Sequence, residues 1–387
     1  MSEIKVNSIK GVGASAAAIT VNNSDGTCTA NLTNRTNKNL VVNGACLIAQ
    51  RGTSSTSGGY QTVDRFKAFW SGTDEALTQA QVDVASGTTP YTSGFRKALK
   101  VTNGNQTSGA GAADYVIIRT ILEAQDIANS GWNYVSSSSN ITLSFWVKSS
   151  VAQNFYGNLV TYDGTVQNYA FETGSLSADT WTKITKTIPG NSNLTFDNNN
   201  EAGIRFNILP FFGASYTGSV TLNEWSSYAG SAQTPANTST WYTTNDATFE
   251  ITGVQLEVGD TATTFEHRSY KEELRRCYRY FQRRTSSDNY QWVSLVSFYS
   301  GSEIHGFFDH YETMRASPTL SADTGSNTLA VQRAGGYVAW STGIIKNGGN
   351  LNVTYFYRDG VSLGTSGQCG RALTWTAGCT ITLSAEL

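Results

Sequence analysis

The chain has 387 residues and a formal net charge of −2, with 27 Lys and Arg against 29 Asp and Glu and only 14% charged residues. An ordinary soluble domain carries about 25%. That shortfall, beside 37 Gly, 19 Tyr, 17 Phe and 9 Trp, argues against a mainly helical protein and for strands and turns. Dispersed, balanced charge leaves no basic footprint for nucleic acid. No apolar run reaches the roughly 18 residues that insert into a membrane, and residues 1–10 lack the apolar stretch of an export signal. Two or three domains are expected at this length.

Residues 1–38 read as an extended segment. Ile4 and Val6 alternate, Gly11 and Gly13 interrupt, Ile19 and Val21 alternate again, and Asp25-Gly26 marks a turn. The segment offers too few apolar side chains to offset a backbone-ordering cost of roughly 1–2 kcal/mol per residue. It is therefore either unordered or zipped against copies of itself. A threefold axis would let each chain supply a third of a shared core.

Residues 39–268 are a series of short strands. Ile141, Leu143, Phe145 and Val147 alternate with Thr142, Ser144, Trp146 and Lys148, with Trp146 the exception on the outer face. Ile204, Phe206 and Ile208 alternate with outward Arg205 and Asn207, and turns recur at Asp163-Gly164 and Pro189-Gly190. Strands without intervening helices predict an antiparallel sandwich of jelly-roll type. Phe249 and Ile251 lie out of phase with Val254, Leu256 and Val258 by one residue, which predicts a bulge at Gly253.

One helix is predicted within residues 269–284. Ser269 and Glu272 form a capping box, and Tyr270, Leu274, Cys277, Tyr278 and Phe281 share a face. Arg275, Arg276, Arg279, Arg283 and Arg284 read as the solvated opposite side. Residues 285–387 return to a β pattern and form a small C-terminal tip domain. There Leu351, Val353, Tyr355 and Tyr357 alternate, and Asp359-Gly360 reads as a hairpin turn. The predicted class is all-β: extended trimerising segment, central β-sandwich, short linker helix, small β domain.

Five cysteines, Cys28, Cys46, Cys277, Cys369 and Cys379, are odd in number and lack a C-x-x-C pair, so neither a zinc site nor a disulfide framework is expected. Cys369 and Cys379 could bridge under oxidising conditions; two free thiols is the preferred reading.

The stretch from Leu40 to Phe66, with Asn43-Gly44 and Gln50-Arg51-Gly52, resembles the opening of the carbohydrate-binding-module-like jelly roll found in many phage tail fibres. Ile141–Ser150 is similar to that family's central strand, and Gly253–Glu266 with the Glu272–Cys277 run to its closing strand and exit helix. Residues 2–11 resemble the start of marine phage fibre proteins, so the likeness covers roughly the first 280 residues. It implies a homotrimeric virion protein, made in the host cytoplasm and attached by its N-terminus to a tail, baseplate or nozzle protein. Its partner would be a host surface polysaccharide or another envelope receptor. Related modules often hold a structural calcium with an acidic residue after the N-G turn; Ala45 stands there, and no cofactor is expected.

Catalytic constellations are scarce. Only His267, His305 and His310 could serve as a triad base, and no G-x-S-x-G elbow is present. His305, Asp309 and His310 offer metal-like spacing, but on a strand His310 would point away from the other two. Glu123, Asp126, Glu172, Glu201 and Glu224 could in principle pair for glycan hydrolysis. No 20–50-residue repeat of a parallel β-helix appears. The preferred reading is a binder and not an enzyme, with a depolymerase and a cellular adhesin as rivals. Sugars stack on aromatic rings beside amides, which nominates Trp132, Tyr134, Trp225, Trp241 and Tyr242 in polar stretches of the sandwich, and Tyr337, Trp340, Tyr355 and Tyr357 in the tip.

Overall fold

The computed structural model describes residues 8–10, 19–21, 28–30, 37–323, 329–334, 336–340, 343–361 and 364–387. The fold is all-β. Two six-stranded antiparallel sheets face each other across an apolar core. One runs in the order Trp225–Ser227, Gln167–Ser175, Asn154–Thr161, Ala202–Phe212, Tyr115–Glu123, Lys67–Ser71; the other runs Thr182–Pro189, Asn140–Ser149, Thr248–Val258, Lys97–Thr102, Thr78–Asp83, Ser54–Ser55. Alternation does what it predicts: Ile141, Leu143, Phe145 and Val147 from one sheet meet Ile204, Phe206 and Ile208 from the other, with Phe145 and Phe206 rings 5.5 Å apart. Trp146 faces outward and packs there in a satellite cluster with Val84, Phe95, Ala98 and Trp181.

The predicted bulge is present. Pairing of Thr248–Val258 with Asn140–Ser149 shifts register between Thr252 and Gln255, and Gly253 takes φ +65°. A Cβ at Gly253 would lie 2.6 Å from the Phe95 ring. The bulge keeps Phe249, Ile251, Val254 and Leu256 all buried. The Asn43-Gly44 segment is a turn and not part of a strand. It is laid on the closing strand by Leu40 N donating to Leu256 O and Val254 N to Gly44 O, both at 2.9 Å.

The helix spans Tyr270–Tyr278, and Ser269 Oγ accepts from Glu272 N at 3.3 Å. It is shorter than the sequence suggests: Phe281–Thr285 is a strand of a three-stranded sheet with Thr380–Ser384 and Thr319–Ala322. Tyr270, expected on the packed face, is exposed. The arginines divide accordingly. Arg275 is exposed, whereas Arg279 donates twice to Glu123 at 2.7 Å, Arg283 donates to Gln50 O at 2.7 Å, and Arg284 covers the Tyr311 ring at 4.4 Å.

A seven-stranded antiparallel sheet completes the C-terminal region, in the order Gly336–Trp340, Leu329–Arg333, Cys369–Thr374, Trp292–Phe298, Glu303–Asp309, Val353–Asp359, Ile345–Gly349. Asp359-Gly360 does not close a hairpin: the strand before it pairs with Glu303–Asp309 and Ile345–Gly349, both earlier in the chain. At the N-terminus, Ser8–Ile9, Ile19–Val21 and Cys28–Ala30 form a minimal antiparallel sheet. Ile4, Val6, Gly11, Gly13, Asp25 and Gly26 of the predicted segment lie outside the described residues.

The sandwich and the C-terminal region are joined by a buried charged network. Arg65, 2% exposed, is ion-paired with Glu386, stacks on Tyr280 at 3.5 Å and donates to Ile121 O. Arg51 reaches the same Glu386 at 3.1 Å and covers the Phe281 ring at 3.5 Å. Tyr60 Oη donates to Leu387 O at 3.0 Å, and Arg315 Nη1 to Asn200 O at 2.8 Å. Asp64 lies beside Arg51 at 3.7 Å, but its burial outweighs that attraction and raises its carboxyl to about 6.

Three outcomes follow from these contacts. Gly253→Ala should lose about 2 kcal/mol in denaturant unfolding, because it adds a strained φ and a ring collision. Glu386→Gln strands a buried guanidinium and should cost about 3–5 kcal/mol, while the Arg65→Met/Glu386→Leu double variant should recover most of it. Because the Asp64 pKa is higher folded than unfolded, the folded state holds that proton more tightly. Stability therefore falls as pH rises from about 4 through about 6, by on the order of 2 kcal/mol. Melting should occur at a higher temperature at pH 5 than at pH 7.5, and Asp64→Asn should remove about half of the difference, since burial raises Asp126 to about 6 as well.

Candidate functional site

The nominated aromatics of the sandwich are mostly structural. Trp241 and Tyr242 are fully buried on the short helix Thr240–Thr243, which plugs the core. Trp241 Nε1 donates to Thr248 O at 3.0 Å; Tyr242 stacks on Phe211 at 4.3 Å and donates to Asp114 at 3.1 Å. Trp132 is buried with Nε1 bonded to Ser139 O at 3.1 Å, and half-buried Tyr134 meets Phe196 edge-on at 4.9 Å. Half-buried Trp225 donates to Pro189 O at 2.7 Å and leans on Tyr169 at 5.3 Å. Trp340 is buried in the C-terminal core. For Trp132, Trp241, Tyr242 and Trp340 the expectation of a sugar platform fails, because each ring face is already occupied by core packing.

The tip differs. Inward positions of its seven-stranded sheet, Val296, Phe298, Ile304, Phe308, Val331 and Phe356, build a core. The opposite face carries large exposed side chains: Trp292 is 66%, Leu295 67%, Tyr355 48% and Tyr337 46% exposed, and Phe307 and Ile345 are exposed with them. Strand register aligns these positions. Tyr337 pairs with Gln332, Gln332 with Arg371 and Arg371 with Leu295; Phe307 pairs with Tyr355. In the neighbouring row His305 pairs with Tyr357, and Tyr357 with Ile345. Of the sequence candidates, Tyr337, Tyr355 and half-buried Tyr357 therefore share this face. Trp292, Leu295, Phe307 and Arg371 were missed.

Within the face, the Arg371 guanidinium lies 4.4 Å over the Trp292 ring. Together with Leu295, Gln332 and Cys369 they line an open depression of about 440 Å³. Tyr299 stacks on the His305 imidazole at 5.0 Å and 17°, and His305 Nε2 lies 2.7 Å from Glu303. Tyr290, Tyr337 and Trp375 form a second aromatic group, with Tyr290 5.1 Å and Tyr337 5.7 Å from Trp375. Rings beside an amide and a guanidinium can stack on the C–H face of a flat ligand and hydrogen-bond its hydroxyls.

Of the carboxylates nominated for hydrolysis, Glu123, Glu172 and Glu201 are each engaged by another side chain. Glu123 is held ionised by the bidentate Arg279 despite its burial. Asp126 is raised to about 6 by burial and by Glu123. Glu172 accepts from Asn154 at 2.8 Å, and Glu201 lies 3.5 Å from Arg315. His310 is bound to Leu351 O and Thr354 Oγ1, which separates it from His305. Among the described residues no group of three His, Cys, Asp or Glu side chains comes together to hold a metal.

Cys46, Cys277, Cys369 and Cys379 are free thiols. Burial raises Cys46 to about 12 and Cys379 to about 11, while Cys369 is exposed at the rim of the depression. Of these four, Cys369 alone should react with a maleimide under native conditions. Mass mapping of the labelled peptides checks it; native modification of Cys46 would contradict the packing.

No protein-family model matches the chain, and no curated protein matches it. Solved structures resemble it weakly. The enzymatically active domain of bacteriophage CBA120 tailspike protein 4 is 12% identical over 57% of this chain, which spans about a fifth (21%) of that domain, at a TM-score of 0.30. The N-terminal cellulose-binding domain of Cellulomonas fimi β-1,4-glucanase C is 11% identical over 56% of this chain and 99% of its own, at 0.26. A putative sugar binding protein from Bacteroides thetaiotaomicron is 11% identical over 57% of this chain and 100% of its own, at 0.27. Likeness at this level carries no argument about activity; the jelly-roll sandwich stands on the chain's own sheets.

Proposed function

We propose that the chain is a subunit of a homotrimeric phage tail fibre that adheres to the host cell surface by binding glycans, and that it acts as a binder and not as an enzyme. The observation that carries this reading is the outward face of the seven-stranded sheet. A chain that encloses Trp241 and Tyr242 in the sandwich and Trp340 in the tip leaves Trp292, Leu295, Phe307 and Tyr355 in water on one surface of the tip. A concentration of exposed apolar area on that scale marks an interaction surface.

Trimerisation is supported by the N-terminal strands. Ile9 is 54% exposed in a sheet whose strands have two or three residues, far below what an isolated sheet needs for stability. Three copies around an axis would cover such positions. In this reading the N-terminus docks on a tail, baseplate or nozzle protein, the fibre is part of the virion, and three weak contacts made together hold far more tightly than one.

The purified protein should compete with virions for host cells, and its mass in solution should be three times 41.7 kDa. The Trp292→Ala/Tyr355→Thr variant should melt as the parent does and compete about thirtyfold less well, each lost platform removing roughly 1 kcal/mol. Unchanged competition by that variant, or a monomeric mass, would sink the proposal. Shortening of host polysaccharide on incubation would favour the depolymerase reading.

A further inference from the structure

A second surface, on the sandwich, has charges that the fold itself does not use. In the sheet that runs from Trp225–Ser227 to Lys67–Ser71, Lys67 pairs with Arg119, Arg119 with Asn207, and Asn207 with Asn158, so four outward positions form one row across four strands. Three asparagines of this face are almost fully buried and are linked head to tail. Arg119 Nε donates to Asn207 Oδ1 at 2.7 Å, Asn207 Nδ2 to Asn158 Oδ1 at 2.7 Å, Asn158 Nδ2 to Asn168 Oδ1 at 2.9 Å, and Asn168 Nδ2 to Gln233 O at 2.9 Å. Each amide accepts on one side and donates on the other. The series ends on a backbone carbonyl, so the group it orients is the Arg119 guanidinium.

Arg205 shares the face, two residues from Asn207 on the same strand. Its guanidinium lies 5.5 Å over Tyr162 and 5.4 Å over Tyr228, and its buried Nε has no hydrogen-bond partner. Lys67 Nζ lies 5.0 Å from the Phe69 ring. None of the three cations has an ion-pair partner among the described residues. They oppose one another instead: burial and then Arg205 lower Arg119 to about 10, and burial and then Arg119 lower Lys67. Elsewhere the chain gives its enclosed arginines carboxylates, as with Arg65, Arg268 and Arg279. Packing alone would be served by neutral side chains of the same length. A row of like charges, one fixed by a buried amide relay, is stabilised only when an anion arrives.

We propose that this face binds an anionic saccharide, with a carboxylate or phosphate group seated among Lys67, Arg119 and Arg205 and the sugar flanked by Tyr162 and Tyr228. The site is separate from the aromatic face of the tip and does not depend on glycan binding there. It also carries a stability cost in the free protein: removing one cation relieves repulsion while weakening the ligand, a combination that a purely structural lysine would not show.

The test is calorimetric titration of the full chain at low salt with three probes: trigalacturonate, its methyl ester and mannose 6-phosphate. Trigalacturonate, mannose 6-phosphate or both should bind, and which of them does identifies the anionic group. The ester should bind at least about tenfold more weakly than the acid. Arg119→Gln, Arg205→Gln and Lys67→Gln should each weaken binding by about tenfold, Lys67→Gln should raise the melting temperature of the free protein, and Trp292→Ala should leave anion binding unchanged. Failure of both anionic probes to bind, measurable and equal binding of acid and ester, undiminished binding by folded Lys67→Gln, or a lowered melting temperature for Lys67→Gln would each overturn the proposal.

Discussion

The guanidinium of Arg65 is the constraint around which the chain is organised. At 2% exposure it has given up its hydration, a loss of several kcal/mol that only a close counter-charge and further hydrogen bonds offset. Glu386, the Tyr280 ring and Ile121 O provide them. Two of these belong to the C-terminal region and one to the sandwich, so neither part satisfies the arginine alone. Arg51, Asp64, Tyr60 and Arg315 extend the same arrangement. Apolar contact would hold the two parts together in many relative positions; a charged cluster with this many directional partners tolerates few.

That economy of charge makes the sandwich face with Lys67, Arg119 and Arg205 informative. In a chain with 14% charged residues, cations are not scattered as solvating cover. Arg65, Arg279 and Arg268 are matched by Glu386, Glu123 and Glu266, while Arg119 and Arg205 on the face have no ion-pair partner among the described residues. The tip face makes the same contrast in apolar terms, since the sequence that hides Trp241 exposes Trp292.

Local pattern carried much of the fold. The period of two at Ile141–Val147, the phase slip at Gly253 and the Ser269 cap are each settled by neighbours within a few residues, and each appears in the structure as the sequence predicts. The candidate site was less legible because exposure is decided by distant partners. Trp241-Tyr242 sits among Thr, Ser and Asn and reads as a surface loop, yet Phe211, Phe249 and Asp114 close over it. Trp292 and Leu295 carry no local signal that separates them from core strand residues, and only the sheet order puts them on the exposed face. The arginines after the helix follow the same logic: Arg279 and Arg283 find Glu123 and Gln50 more than 150 and 200 positions away.

The Arg65–Glu386 pair also sets a schedule for synthesis. Its members are separated by 321 positions. At roughly 5–20 residues per second, the ribosome delivers the second between about 15 and 60 s after the first. Throughout that interval the sandwich strands are available to fold, but the socket around Arg65 must stay open to water, since closing it early would entomb a lone charge. The nascent sandwich therefore has reason to wait in a loosened form with its Arg65 edge wet, and it is the arrival of Glu386 that allows that edge to dry.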